Sequence, residues 1–473
     1  MDLEKQKRNQ VIRVVITEIL MVLAIIPIVI LLTLLAMGYH LGEDMTLEQS
    51  GLVQVNSIPN GASVSVDGEE KFKTDASRML TSGEHVIKIS KDGYDSWSKK
   101  INVLPGFLLR VRYARLFKES REIQAVQKLD GLRMMSTSPN RTSILYQLNA
   151  SPKLKLVNIR DDNVKDAELD LTNILRVGDN GEMLGKIEQT KWSWNGDTVL
   201  LKIVYDDASE WALVDIRDNA SSRNLTKEFG LVISDIQFAG SSVERLYVLE
   251  NNNLREINLD SNGVSRVLLS GVEEFYAEQT SVGYVRKQDD KKELGIYKNG
   301  DTGGIVIRTV ENNLPVHVAA NEYYGEKYLS YTIGDQLVVY MTEVWPTNEK
   351  EAKKMNVTID AKIGIVPNSP LTINRTGEAI LMRDDKEMVA VDLETNRHKK
   401  YPATSEGISF VDDYLLYGIN DQTLTVWDFD GENQRPLANG VLNFSAVISA
   451  NNRWLYYVAE KDNQIVLVRE KLL

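Results

Sequence analysis

The sequence predicts an all-β protein of at least two folded units behind a single N-terminal transmembrane α-helix. Three observations lead to this fold class. Residues 19–39 form a run of about 21 residues without a charge. Beyond it, apolar and polar residues alternate in short runs, which is the period of half-buried β-strands. The length of 473 residues also exceeds what one ordinary hydrophobic core accommodates.

The apolar run is long enough to cross a bilayer, because about 21 residues at 1.5 Å each span a hydrocarbon core of about 30 Å. Pro27 lies inside the run, and transmembrane helices tolerate proline. The flanking charges differ in sign: the basic residues Lys5, Lys7, Arg8 and Arg13 precede the run, and the acidic residues Glu43, Asp44 and Glu48 follow it. The positive-inside rule then predicts a cytoplasmic tail at residues 1–18, a transmembrane helix at 19–39, and an extracytoplasmic remainder.

A cleaved signal peptide is the alternative to a permanent anchor. Ala36 and Gly38 could form a small-x-small cleavage site. The apolar run is, however, longer than the 7 to 15 residues that are usual for a signal peptide. We therefore expect an uncleaved signal-anchor, and whether it is ever cleaved stays open at this point.

Composition restricts the partners and the chemistry. The net charge of −12, without a basic cluster beyond the N-terminus, argues against a nucleic-acid partner, since a duplex binder needs a cationic face. The absence of cysteine excludes disulfides, thiolate metal sites and a cysteine nucleophile. Many exported bacterial proteins have such a composition.

Residues 52–115 are predicted to form a compact β-domain. Turn signals recur at short intervals, at Asn60–Gly61, Asp67–Gly68 and Asp92–Gly93, between short alternating strands. Asp-Gly is a favoured hairpin turn because both residues tolerate positive φ angles.

This β-domain resembles the PEGA family. The matching motifs are Pro59-Asn60-Gly61-Ala62, Val64-Ser65-Val66-Asp67-Gly68, Gly83-Glu84-His85-Val86-Ile87-Lys88-Ile89, and Lys91-Asp92-Gly93-Tyr94 with Trp97. Asn60 replaces the glutamate of the family's tetrad, at a turn position. The resemblance implies a small surface β-sandwich that acts as a spacer or an adhesive module, without catalytic chemistry. His85 lies in an alternating strand, and we interpret it as a polar face residue.

Residues 116–473 repeat a pattern of two apolar strands joined by a polar turn. The first copies are SILYQL with KLKLVNI, and TVLLKIVY with EWALVDI; six more degenerate copies follow, at a period of roughly 37 to 55 residues. Each copy is interpreted as the second and third strands of a four-stranded β-propeller blade. Seven and eight blades both stay open, and an insertion is expected around residues 343–372.

These copies resemble the TolB and WD40 group of propellers, whose strand entry often reads W-S-P-D-G. Residues 192–197, with the sequence WSWNGD, approximate this motif. Two further segments match it less closely: Ser138-Pro139-Asn140 and Ser449-Ala450-Asn451-Asn452. Two tandem β-sandwiches are the rival fold. In a propeller, the unpaired segment 121–129 is expected to pair with residues 464–470 and close the ring, because both segments otherwise leave exposed edges.

No residue is assigned a catalytic, cofactor-binding or metal-binding role. The four histidines, at positions 40, 85, 317 and 398, are too dispersed to suggest a metal pair, and neither a Gly-x-Ser-x-Gly elbow nor a glycine-rich phosphate loop is present. Residues 428–433, with the sequence DFDGEN, have some character of a calcium loop, but we interpret them as a turn whose aspartates are exposed.

The expected function is that of a noncatalytic cell-surface binding or scaffolding protein, whose propeller meets an envelope protein or a cell-wall glycan. A propeller hydrolase acting on wall glycan or peptide is the alternative, and paired, perturbed carboxyl groups in the central channel would favour it. A third hypothesis is a purely structural envelope protein. Tryptophans at the channel mouth could stack on a ligand; the candidates are Trp192, Trp194, Trp211, Trp345, Trp427 and Trp454.

Overall fold

The structure, a computed structural model, describes residues 2–41, 46–162, 164–403, 405 and 407–473, without the side chains of residues 2–12, 40 and 41. The chain divides into two compact units, Met1–Glu119 and Ser120–Leu473. Residues 42–44, which supply part of the predicted acidic flank of the apolar run, lie outside the described residues.

The first unit begins with helix α1 (Asp2–Ala36), which contains Pro27 without interruption. Its Arg13–Ala36 part is long and apolar enough to cross a membrane, and none of it is buried within the protein. The helix ends where Gly38 adopts a left-handed φ of 79° and donates its N–H to the Leu35 carbonyl, 3.0 Å away. Glycine favours this conformation at a helix C-terminus. Tyr39, placed in the span by the sequence, therefore lies in a strand instead.

Eight strands then form two four-stranded sheets, and this confirms the predicted small β-domain. The first sheet contains β1 (Tyr39–Leu41), β2 (Leu47–Ile58), β5 (Ala76–Thr81) and β8 (Leu108–Arg115), with β2 and β8 parallel. The second sheet has the order β4-β3-β6-β7 and contains β3 (Ser63–Val66), β4 (Glu69–Lys73), β6 (Gly83–Ser90) and β7 (Trp97–Val103).

The core of this domain follows from the alternating pattern of its strands. Val53 and Val55, two positions apart, are fully buried, as are Ile87 and Ile89 in the other sheet. Trp97 is also fully buried, and its ring meets the Tyr113 ring edge-on at 5.9 Å. The predicted Asp67–Gly68 hairpin is present, with φ angles of 53° and 93°.

In the second unit, the described residues form eight four-stranded sheets in sequence order, which are the blades of a β-propeller. A leading strand β9 (Ile123–Lys128) precedes them. Blades 1 to 4 contain β10 (Leu132–Thr137), β11 (Ser143–Leu148), β12 (Lys153–Asn158) and β13 (Lys165–Asp170); β14 (Lys186–Trp192), β15 (Thr198–Val204), β16 (Ser209–Asp215) and β17 (Arg223–Asn224); β18 (Ile233–Phe238), β19 (Arg245–Glu250), β20 (Asn253–Asn258) and β21 (Gly263–Val264); β22 (Val272–Ala277), β23 (Ser281–Gln288), β24 (Lys291–Lys298) and β25 (Ile305–Glu311).

The remaining blades repeat this plan. Blades 5 to 8 contain β26 (Val316–Tyr323), β27 (Glu326–Ile333), β28 (Gln336–Thr342) and β29 (Asn356–Lys362); β30 (Thr372–Ile373), β31 (Ala379–Arg383), β32 (Glu387–Asp392) and β33 (Arg397–Pro402); β34 (Ser409–Phe410), β35 (Leu415–Asn420), β36 (Thr423–Asp428) and β37 (Arg435–Asn439); β38 (Val447–Ile448), β39 (Trp454–Lys461), β40 (Gln464–Lys471) and, as fourth strand, β9. Short helices interrupt the connections: a 3₁₀ helix (Asn219–Ser221), α2 (Leu225–Phe229) and α3 (Glu349–Ala352).

The eight strand pairs predicted from sequence are the second and third strands of the eight blades, and the rival of two tandem sandwiches is wrong. These strands read as continuous apolar runs because each blade is covered by a neighbour on both faces. Leu200 and Leu201 of β15, for example, point to opposite faces and are both fully buried. The region 343–372, where an insertion was expected, holds α3 and the fourth strand of blade 5.

The predicted ring closure is confirmed. Strand β9 pairs antiparallel with β40, with Ile123 opposite Glu470 and Lys128 opposite Val466. The first strand of the unit thus supplies the outer strand of the last blade. Both edges that the sequence would leave unpaired are satisfied by this single ladder.

Candidate functional site

In each blade, the turn between the first and second strands lies at the same end of the propeller, which we call the turn face. Neighbouring blades are joined there by hydrogen bonds. The Asn321 side chain donates to the Gly377 carbonyl at 2.7 Å, and the Asn374 side chain donates to the Asp413 carbonyl at 3.0 Å. The Ala450 N–H donates to the Arg141 carbonyl at 3.0 Å, which joins blade 8 to blade 1.

The Ser-x-Asn motifs, which the sequence suggested as strand entries, build these turns. In each of three blades the serine hydroxyl donates to the asparagine side-chain oxygen two residues later at 2.7 Å; the pairs are Ser138–Asn140, Ser193–Asn195 and Ser449–Asn451. The same serine oxygens accept backbone N–H groups from the start of the next strand. The three turns share one geometry, which explains the motif as a structural element.

In the equivalent turns of blades 2 and 6, the second residue carries a large side chain. Trp194 occupies this position in blade 2 and Arg375 in blade 6, four blades away and therefore on the opposite side of the ring. The two side chains meet, with the Arg375 guanidinium carbon 4.8 Å from the centre of the Trp194 ring. This distance is that of a cation–π contact. The pair covers the centre of the turn face.

Trp194 is the exposed member among the six tryptophans considered from sequence. It is 53% exposed, whereas Trp211, Trp345, Trp427 and Trp454 are buried. Trp192 is partly buried and donates its indole N–H to the Ser136 hydroxyl at 2.8 Å. A packing role explains those five residues; it does not explain an indole ring held in solvent.

Arg141 is a buried residue that also contacts the turn face. It occupies the third turn position after Ser138 with a φ of 59°, where blade 2 has glycine. Its guanidinium donates to the Asp413 carboxylate and to the Asn452 side-chain oxygen, both at 3.0 Å. Asp413 also lies 3.8 Å from the Arg375 guanidinium. The strained backbone of a non-glycine residue is thus offset by charged hydrogen bonds across blades 1, 7 and 8.

Glu278, in the turn of blade 4, also lies on the turn face. Burial raises the pKa of its carboxyl group to about 7, and the nearby charge of Glu322 acts in the same direction. Sequence analysis did not single out Glu278, because nothing in the local pattern distinguishes it from other turn acids. Tyr324, in the turn of blade 5, adds a second aromatic ring that is 56% exposed.

The structure places the other polar residues considered from sequence in structural roles. His85 bonds the Asp67 carboxylate at 2.7 Å and the Thr81 carbonyl at 2.8 Å. Among the residues that the structure describes, no group of three or more His, Cys, Asp or Glu side chains converges on a common point.

The DFDGEN segment forms the turn that the sequence predicted, but Asp428 is not exposed. It is fully buried, and its carboxylate accepts a hydrogen bond from the Asn433 side chain at 2.8 Å. The Gly431 N–H donates to the Asp428 carbonyl at 2.8 Å and closes the turn. The expectation of an exposed aspartate is therefore wrong, because β36 continues through Asp428 into the blade core.

His317 joins three neighbouring segments of the propeller. Its Nδ1 lies 2.8 Å from the Glu274 carboxylate of blade 4, and its Nε2 lies 3.1 Å from the Pro367 carbonyl, before blade 6. Both partners are acceptors, so a protonated ring satisfies both. Burial lowers the pKa of His317, but the hydrogen bond and charge of Glu274 outweigh burial and raise the pKa above its usual value.

We expect this contact to make stability dependent on pH. A raised pKa stabilises the fold below about pH 6.5, the pKa of an unfolded histidine, and this stabilisation disappears as the pH rises through the folded pKa. The substitution His317→Gln is expected to lower the free energy of unfolding by about 1–3 kcal/mol at pH 6 and by less at pH 8.5. Urea unfolding of both proteins at the two pH values measures this. His398→Gln, at an exposed outer-strand position, is the matched control; an equal loss at both pH values would contradict the protonated pair.

Comparisons with known proteins give one family match and several similar solved structures. Residues 50–114 match the model of the PEGA domain. No curated protein matches the sequence. Solved structures that resemble the chain include the C-terminal WD40 domain of Sif2, with 11% identity, 73% of this chain and 97% of that chain covered, and a TM-score of 0.46. Another is an oligogalacturonate lyase in complex with manganese, with 11% identity, coverages of 75% and 98%, and a TM-score of 0.41.

A third is Porphyromonas gingivalis dipeptidyl peptidase 4, with 12% identity, coverages of 74% and 60%, and a TM-score of 0.44. Identities this low carry no inference about activity, and the strand order of the eight blades defines the fold by itself. The chain combines a PEGA domain at residues 50–114 with a β-propeller in the second unit.

Proposed function

We propose that this chain is a noncatalytic, membrane-anchored binding or scaffolding protein of the cell surface, whose propeller binds a cell-wall glycan or an envelope protein through the turn face. The observation that carries the proposal is the exposed Trp194 ring stacked with Arg375 at the centre of that face. A PEGA domain and a propeller fit such a role.

The chemistry of the pair suits a ligand with both apolar and polar surface. An exposed indole ring offers a flat apolar platform for a sugar ring or an apolar side chain. The guanidinium of Arg375 has five N–H donors, which suit hydroxyl or carboxylate oxygens. Tryptophan and arginine are also the residue types most often found as binding hot spots.

The proposed location follows from the N-terminus. Helix α1 is long and apolar enough to span a bilayer. Basic residues precede its apolar part and acidic residues follow it, so the positive-inside rule predicts a cytoplasmic N-terminus, with the PEGA domain and the propeller outside the cell.

One observation favours a second candidate, a propeller hydrolase acting on wall glycan or peptide. Glu278 has a pKa of about 7 on the same face, which suits a general acid. A glycan hydrolase uses a pair of perturbed carboxyl groups, and among the residues that the structure describes Glu278 supplies one of them. Binding therefore remains the first proposal.

The test uses the purified full chain in detergent and insoluble cell-wall glycan as the probe. Co-sedimentation is expected for the native protein, and Trp194→Ala or Arg375→Ala should weaken it about tenfold or more, as for hot-spot residues. Val232→Ala is the matched control, because Val232 is 72% exposed and precedes the first strand of blade 3, at the end opposite the turn face.

A second experiment tests for a protein ligand, with a membrane-impermeant crosslinker applied to wall-stripped cells. Adducts that Trp194→Ala removes and Val232→Ala retains would identify an envelope protein as the ligand. Adducts that form only after lysis would contradict the orientation. Glycan fragments released by the native protein, and not by Glu278→Gln, would favour the hydrolase. If the native protein does not co-sediment with the glycan and forms no adduct that Trp194→Ala removes, binding at this face is refuted.

A further inference from the structure

The PEGA-domain unit exposes a group of large apolar side chains, which we call the apolar patch. Its members are between 37% and 68% exposed: Leu52, Met79, Leu104, Phe107 and Leu108. Phe107 is the most exposed of them, at 68%. Single exposed apolar residues are normal on a soluble domain, but a contiguous group marks an interaction surface.

The strand register shows that the patch is contiguous. Leu52 of β2 lies directly opposite Met79 of β5 and directly opposite Leu108 of β8. Residues opposite each other in neighbouring strands point to the same face of a sheet, so these three form one row. Leu104 and Phe107 belong to the turn that enters β8 and extend the row at its end, where the Phe107 N–H donates to the Leu104 carbonyl at 3.3 Å.

This turn lies against the C-terminal end of helix α1. The Gly106 N–H donates to the Ser50 carbonyl at 2.8 Å, and the Ser50 N–H donates to the Gly38 carbonyl at 2.8 Å. The packing leaves no room for a side chain: a Cβ atom on Gly38 would collide with the Gly106 backbone, and one on Gly106 would lie 3.0 Å from the Ala36 carbonyl oxygen. The turn is therefore at the same level as the last residue of the apolar helix.

That level corresponds to the interface of a bilayer. The 24 residues of Arg13–Ala36 give a helix about 36 Å long, slightly more than the hydrocarbon core of about 30 Å. A side chain beside Ala36 is consequently at the boundary between acyl chains and headgroups. Leucine and phenylalanine bury apolar area favourably at this depth.

We propose that the apolar patch inserts into the outer interfacial layer of the bilayer that α1 spans, so that the PEGA domain is held against the lipid surface. The proposal rests on the membrane anchoring proposed above. Its basis is the continuity of the patch with the apolar helix through the contacts among Gly38, Ser50 and Gly106. The anchor then has two parts, a spanning helix and an interfacial apolar surface.

The absence of cysteine allows a direct test, because a single introduced cysteine is the only labelling position. The full chain carrying Phe107→Cys with a nitroxide label is reconstituted into phosphatidylcholine/phosphatidylglycerol vesicles. Accessibility to oxygen and to a water-soluble nickel chelate is measured by electron paramagnetic resonance. Leu104→Cys serves as a second variant if Phe107→Cys fails to fold.

Two control labels separate the possible outcomes. Asn60→Cys reports the aqueous phase. Asn60 is exposed and follows the C-terminal end of β2, ten residues along the chain from Ser50. Leu23→Cys, within α1, reports the bilayer core. We expect the ratio of oxygen to nickel accessibility at Phe107→Cys to be at least several-fold higher than at Asn60→Cys and below that at Leu23→Cys.

Three results would overturn the proposal in distinguishable ways. If the ratio of oxygen to nickel accessibility at Phe107→Cys equals that at Asn60→Cys, while Leu23→Cys gives the high ratio of the bilayer core, the helix spans the membrane and the patch does not insert. Aqueous ratios at both positions would refute the anchoring itself. Spin–spin broadening at Phe107→Cys that disappears on dilution with unlabelled chain would show that a second copy covers the patch.

Discussion

Deletion of residues 464–473 is expected to open the propeller and abolish its cooperative unfolding transition. The deletion removes β40, which pairs with β39 on one side and with β9 on the other. It also removes Leu467, which is fully buried in a core cluster that includes Leu129 and Tyr146 of the neighbouring segments. Removing one buried leucine side chain costs about 2–5 kcal/mol, and a whole domain is stable by only about 5–15 kcal/mol.

The measurement is thermal or urea unfolding of the full chain and of the truncated chain, combined with amide hydrogen exchange in blades 1 and 8. Protection should disappear first in β9, β10 and β39, which lose their partner or their neighbour. Removal of Leu473 alone is the control, since this residue lies beyond β40. A truncated protein that melts like the intact one would show that closure by β9 and β40 does not hold the ring together.

Loss of Arg121 is expected to have the second-largest effect, because it leaves a buried carboxylate without its cation. Glu470 is 2% exposed; its carboxylate accepts from the Arg121 guanidinium, and also from the Tyr457 hydroxyl at 3.2 Å. Arg121 further donates to the Leu437 carbonyl at 2.7 Å, in blade 7. Breaking such a pair on one side costs about 3 kcal/mol.

Arg121→Met should therefore lower the free energy of unfolding by about 3 kcal/mol. The double variant Arg121→Met/Glu470→Met should be less destabilised than the single variant, because no unpaired charge remains in the core. Urea unfolding of the three proteins at pH 7 measures this cycle. If the two substitutions are simply additive, the ion pair does not couple the first and last segments of the propeller.

Much of this fold could be predicted because its signals are local. The eight strand pairs have continuous apolar runs bounded by polar turns, and the Asp67–Gly68 turn identifies its hairpin from two residues. The closure could also be predicted, because counting strands leaves two unpaired segments and only one way to pair both. Hydropathy predicts the apolar part of helix α1, but the helix begins at Asp2, inside the predicted tail at residues 1–18, and ends at Ala36 instead of Tyr39.

The candidate site could not be predicted in the same way. Trp194 and Arg375 each occupy an ordinary turn, and only the circular arrangement of eight blades brings them within 4.8 Å. Arg141 and Asp413, which support the pair, are 272 residues apart in the chain. The burial of Asp428 was missed because a turn motif says nothing about how deeply a strand extends into its blade.

The sequence by itself determined the apolar helix, the PEGA domain, the number and order of the strand pairs and the partners that close the ring, since each depends on periodicity, turn preference or strand counting. Only the tertiary structure decided which side chains face the channel, which carboxyl group is shielded from water, and which apolar residues stay exposed beside the helix end. These properties depend on contacts between segments far apart in the chain. A local pattern does not encode which of several similar turns will face each other across a closed ring.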